Sequence, residues 1–168
     1  MTVAELDGLP AEQASAALRG CCGASAWVAG MVARRPFDTR EALHASSRAV
    51  CAGLERADWL EAFAAHPRIG DLESLRSRFA HDRWAGGEQA GAAGASDAVL
   101  RALARRNDDY ELRFGYIFIV CATGKSAEEM LRILESRLPN DPEVELRVAA
   151  EEQRKITELR LDKLLDPA

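Results

Sequence analysis

Aromatic side chains are scarce in this sequence, 6% of 168 residues, and there are only three histidines. No two cysteines stand at CxxC or CxxH spacing, no apolar run is long, and positive charge is not in surplus. Each absence excludes something. Lys and Arg total 22 against 27 Asp and Glu, giving a net charge of −5 and a pI near 5.3. Nucleic acid as the main partner needs the opposite balance, although one buried arginine can bind an anionic small molecule whatever the net charge. The longest apolar run, Tyr116 to Ala122, is far too short to span a membrane. The cysteines Cys21, Cys22, Cys51 and Cys121 lack zinc spacing, and the adjacent Cys21 and Cys22 are poorly placed to bond each other. Met1 to Asp7 carries two acids and no basic apolar run, so no signal peptide is expected. The chain ends Asp166-Pro167-Ala168 rather than Ser-Lys-Leu. The expectation is a cytoplasmic protein with reduced thiols.

What is present is mostly helical. Apolar residues make up 48% and charged residues 29%, enough for one domain, residues 1–168, with a sizeable core. Pro10 suits a first helical position before Ala11–Leu18, and a second helix is expected over Ala24–Arg34, before Pro36. Asp38 with Glu41 predicts a capped helix to about Leu54, and Ala57–Ala65 a short one ended by Pro67. Leu72–Phe79 fits another. Ala85–Ala95, rich in Gly and Ala, reads as a loop or a weak helix, and Ser96 as the cap of a helix over Asp97–Leu112. Tyr116–Ala122 favours an extended segment by its β-branched and aromatic content, with no convincing partner strand. Ser126 with Glu129 caps a helix to Leu138, and Asp141-Pro142 opens the last, to about Leu165. The fold class is all-α: a single domain of about seven or eight helices with one short, buried extended stretch.

Three positions stand out chemically. His66, in Ala65-His66-Pro67-Arg68-Ile69-Gly70-Asp71, falls where a helix must stop. A helix C-terminus favours the imidazolium, and histidine suits proton transfer near neutrality; a plain capping histidine is the alternative. Glu88 and Gln89 stand side by side among Gly and Ala, where a ligand could approach or where Glu88 is simply solvated. Winding the last helix at about 100° per residue puts Arg160 inside an apolar arc bounded by Leu159 and Leu164, so its guanidinium needs a carboxylate, a ligand or water. His44 and His81 stand alone. A metal hydrolase using His44, His66 and His81 is disfavoured by their spacing, and no metal is expected. Trp27, Trp59 and Trp84 read as core or interface anchors.

In order and spacing, five blocks resemble the family of OHCU decarboxylases (OHCU is 2-oxo-4-hydroxy-4-carboxy-5-ureidoimidazoline) of purine degradation. They are Ala65–Gly70, Glu88–Gly91, Asn107 with Tyr110, Arg113–Gly124, and Glu151–Leu161, spread over roughly the last two thirds of the chain. The resemblance implies an all-α, usually dimeric protein acting on a small molecule without metal or cofactor. It implies a catalytic role for His66, Glu88 and Arg160. Pro67, Gln89 and the main chain of Phe118, Ile119, Val120, Cys121 and Ala122 would contact the substrate. Nothing in the sequence codes for the transthyretin-like hydrolase to which this domain is fused in some plants. The implied reaction is decarboxylation of OHCU to (S)-allantoin; a catalytically silent module binding a purine-derived ring or a protein partner is the rival.

Overall fold

Local signals start most of the helices. The computed structural model describes residues 1–68, 70–80 and 90–166, with backbone alone for 90–96. Among the described residues there are nine helices and no strand: α1 Val3–Gly8, α2 Ala11–Arg19, α3 Ser25–Ala33, α4 Arg40–Ala52, α5 Arg56–Ala64, α6 Leu72–Arg78, α7 Ala90–Phe114, α8 Ala127–Arg137 and α9 Pro142–Leu165. The all-α expectation holds, with one helix more than the sequence suggested. The addition is α1, opened by a capping box in which Thr2 accepts from the Glu5 N–H and Glu5 accepts from the Thr2 N–H. Ser126 and Glu129 form the expected box on α8. Asp141 accepts from the Glu143 N–H at 2.9 Å, with Pro142 at the first helical position of α9.

Three expectations need correction. The cap of α4 is Thr39, whose hydroxyl accepts from Ala42, and not Asp38. Asp38 has a left-handed φ of 65° and donates its N–H to the Asp7 carboxylate, so a distant contact has taken it out of capping position. Pro10 sits at the N-cap of α2 rather than inside it. Ser96 lies inside α7 rather than before it: the helix already runs from Ala90, because alanine's high helix propensity carries it through Gly91 and Gly94.

The chain divides into two compact units, Met1–His66 with Val148–Ala168, and Pro67–Arg147. In the first unit Leu6, Leu18, Trp27, Met31, Leu43 and Leu161 are fully buried together. The indole N–H of Trp27, which a dry core would leave unsatisfied, donates to Ser47 Oγ at 3.2 Å. In the second unit Tyr110, Phe114, Tyr116 and Phe118 form an aromatic cluster with ring centroids 4.7–6.3 Å apart. Leu100, Leu103 and Leu134 are fully buried.

Candidate functional site

Helix α5 ends where the sequence says it must. The Ala65 N–H bonds back to Glu61 and Ala62, the His66 N–H reaches Phe63 O at 3.2 Å, and Pro67 cannot donate a further bond. This end is held from outside. Ser25 donates from its N–H and its hydroxyl to the Glu61 carboxylate at 3.1 and 2.5 Å, which lowers that carboxyl's pKa. Gly23 lies so close that a Cβ placed on it would stand 2.3 Å from the Ala65 Cβ, so only glycine admits this approach.

The half-buried imidazole that follows faces α9. His66 Nε2 lies 2.6 Å from Gln153 Oε1. Gln153 is 1% exposed, and its Nε2 donates to Thr157 Oγ1 at 3.2 Å. The Thr157 hydroxyl donates to the Gln153 carbonyl, one turn back, at 2.9 Å. Burial lowers the His66 pKa below 6.5; the bond to Gln153 opposes this and the nearby Arg160 charge adds to it. The helix terminus therefore does not make His66 an imidazolium, as its position suggested. Desolvation wins, and the ring is neutral at pH 7, ready to accept a proton.

Arg160 is half-buried on the same helix, but the apolar arc assigned to it is wrong. The buried stripe of α9 runs through Ala149, Gln153, Thr157 and Leu161 at intervals of one turn, and Leu159 is exposed. Arg160 flanks that stripe. Its charge acts on His66 and on Cys21 and Cys22, yet among the described residues it makes no hydrogen bond or ion pair. Nearby arginines differ: Arg154 is held by Glu151 and Glu158 at 2.5 and 2.7 Å, and Arg40 by Asp162 and Asp166 at 3.3 and 2.6 Å. An uncommitted guanidinium beside a neutral imidazole can bind an anion and deliver a base to it.

The cysteines are free thiols, and burial holds Cys21 and Cys51 up at about 11, which makes them poor nucleophiles at neutral pH. His44 is engaged by Asp162 at 2.9 Å, away from the Gln153 that holds His66. His81, Glu88 and Gln89 lie outside the described residues.

In the second unit, Pro67 is exposed, and Gly115 (φ 82°) and Gly124 (φ 74°) flank residues 116–122, which are neither helix nor strand. Of the expected contact residues, Ile119 and Cys121 are buried while Phe118, Val120 and Ala122 are partly exposed. A side chain that sequence reasoning missed sets this stretch. Arg137, 6% exposed at the end of α8, donates to Ile119 O at 2.7 Å and lies over the Phe118 ring at 4.7 Å. Its other face pairs with the fully buried Glu145 at 2.5 Å, which also accepts from Tyr110 Oη at 2.5 Å and Asn140 Nδ2 at 3.0 Å. Lys125 Nζ takes Cys121 O at 2.6 Å. The signal was in the sequence: Glu145 falls on the stripe of α9 that Ala149 and Gln153 continue.

The sequence profile of the OHCU decarboxylase family matches residues 7–162. The chain is 44% identical over 147 residues to the uric acid degradation bifunctional protein TTL of Arabidopsis thaliana, covering 86% of this chain but only 45% of that protein. It is 30% identical over 131 residues to the 2-oxo-4-hydroxy-4-carboxy-5-ureidoimidazoline decarboxylase of Amia calva, covering 78% of this chain and 75% of that one. A crystal structure of OHCU decarboxylase in the presence of (S)-allantoin superposes with a TM-score of 0.69 at 39% identity, over 88% of this chain and 95% of the other. The fold of an (S)-allantoin synthase is also similar, with a TM-score of 0.74 at 22% identity, covering 99% of this chain and 55% of that one. On the sequence match and the shared fold together, this chain belongs to the OHCU decarboxylase family.

Proposed function

We propose that the protein decarboxylates OHCU to (S)-allantoin and CO2 in urate breakdown. One observation carries the proposal: the Arg160 guanidinium, without an ionic partner among the described residues, lies within electrostatic reach of a neutral His66. That combination suits a carboxylated ring bearing a hydroxyl on the same carbon. The bond from that carbon to the carboxylate breaks, CO2 leaves, and the electron pair moves towards the adjacent ring imine. The ring is its own electron sink, so its chemistry calls for no carbanion-stabilising cofactor. Neutral His66 accepts the hydroxyl proton as the C–OH becomes a ring carbonyl. Arg160 draws in the anion and stabilises the oxygen on which charge develops. A proton on the former imine nitrogen and another added to one face of the ureido-bearing carbon complete (S)-allantoin. The net change is one anion and one proton converted to a neutral product and CO2.

Glu88 orients the ring N–H groups and Gln89 reads the ureido edge in this reading, and the main chain of residues 118–122 contacts substrate, as family resemblance supports. The family profile runs from residue 7 to residue 162, which supports a single family domain. A cytoplasmic homodimer belongs to the same reading, and light scattering tests the dimer. Among the described residues no helix is long and apolar enough to cross a membrane.

The test is to generate OHCU in situ from urate with urate oxidase and hydroxyisourate hydrolase, add the protein, and follow circular dichroism. The expected result is rapid appearance of the (S)-allantoin signal, lost with His66→Asn. Decay at the spontaneous rate to racemic product, with folded protein present, would overturn the proposal in favour of a binding module.

A further inference from the structure

The relay behind His66 has a direction, and the hydrogens can be followed along it. Thr157 has one hydroxyl proton, directed at the Gln153 carbonyl at 2.9 Å. Its oxygen is then an acceptor and takes an N–H from the Gln153 carboxamide at 3.2 Å. The carboxamide must therefore present its oxygen to the imidazole. The separation of 2.6 Å agrees, being short even for N–H···O and shorter still for two nitrogens sharing a proton. Burial raises the pKa of the neighbouring Cys22 thiol, which therefore adds no charge to the chain of groups.

We infer that Gln153, oriented by Thr157, is a positioning residue that locks neutral His66 in the tautomer carrying its proton on Nε2, leaving Nδ1 as the basic nitrogen. The role of Nδ1 in proton transfer rests on the decarboxylase reading; the tautomer does not. A carboxamide suits this task in a way a carboxylate does not. It fixes which nitrogen holds the proton without supplying a negative charge that would raise the imidazole's basicity and hold it protonated.

The measurement is long-range 1H–15N correlation NMR of the 15N-labelled full-length protein above pH 7, with the His66 signals assigned by their loss in His66→Asn. The expected pattern is a protonated Nε2 and an unprotonated Nδ1; the reverse pattern, or averaging of the two nitrogens, overturns the inference. Thr157→Val removes the acceptor that orients Gln153, and should average the His66 nitrogens and lower kcat about 10²-fold with a smaller change in KM. Thr157→Ser restores the hydroxyl and should restore both. If Thr157→Val leaves the NMR pattern unchanged, Thr157 does not set the tautomer. Wild-type protein with the expected pattern but no decarboxylation would sink the proposed function and leave the tautomer standing. Active protein protonated on Nδ1 would do the opposite.

Discussion

Arg137→Met should be among the most damaging substitutions outside the reacting groups. Glu145 is wholly buried, and Arg137 supplies two of its hydrogen bonds, from Nε at 2.8 Å and Nη2 at 2.5 Å. Methionine fills the space but leaves the carboxylate with only Tyr110 and Asn140, and strips Ile119 O of its donor. Breaking a buried pair by removing one partner costs about 3–5 kcal/mol. With a urea m-value of about 2 kcal/mol/M, a loss of about 4 kcal/mol lowers the unfolding midpoint by about 2 M. Adding Glu145→Gln removes the stranded charge while keeping an acceptor for Tyr110 Oη. The double variant should recover at least about 2 kcal/mol, since neighbouring charges couple rather than add. Urea titration followed by far-ultraviolet circular dichroism measures all three proteins. A single variant within about 1 kcal/mol of wild type, or a double variant less stable than the single, would refute the argument.

Two further outcomes follow from the site. Because burial and Arg160 together lower the His66 pKa, kcat/KM should fall on the acid side with an apparent pKa below 6.5 and show no His66 limb above it. The folded state favours the neutral ring, so its stability contribution is complete above 6.5 and lost as pH falls through the lower folded value. A pH–rate profile and an NMR titration of His66 check this, and Arg160→Gln should move the titration upward. Gly23→Ala should cost about 1–3 kcal/mol, because its methyl meets Ala65 at 2.3 Å. Gly23→Ala with Ala65→Gly should regain most of that loss by thermal unfolding; no regain would mean that the contact is not the cause.

Features encoded over three or four residues were legible in the sequence, and features made by distant approach were not. The Ser126–Glu129 box and the Asp141-Pro142 start act within one turn, and the structure has both. Thr2–Glu5 is the same local signal, with only six helical residues behind it. Asp38 looked like a cap because no local rule could foresee Asp7, 31 residues away, claiming its N–H. Proline and glycine punctuation exposed His66, but nothing local marked Gln153, whose partner lies 87 residues earlier. Leu159 and Leu164 do not bound a buried arc around Arg160, because Leu159 is exposed. The buried stripe is instead partly polar, and Gln153 and Thr157 belong to it because each is satisfied by the other.

The Arg160 guanidinium, without an ionic partner among the described residues, also bears on turnover. If it holds the substrate, part of the attraction is between whole charges, worth at most about 4 kcal/mol at a separation of about 4 Å and an effective dielectric near 20. That term depends on the carboxylate, which departs as CO2. Allantoin carries no charge, and His66 beside it is neutral at pH 7, so the grip that captured the reactant weakens as it becomes product. Departure of the product is then built into the chemistry, with no moving part needed to eject it, and accumulated allantoin should inhibit the enzyme poorly.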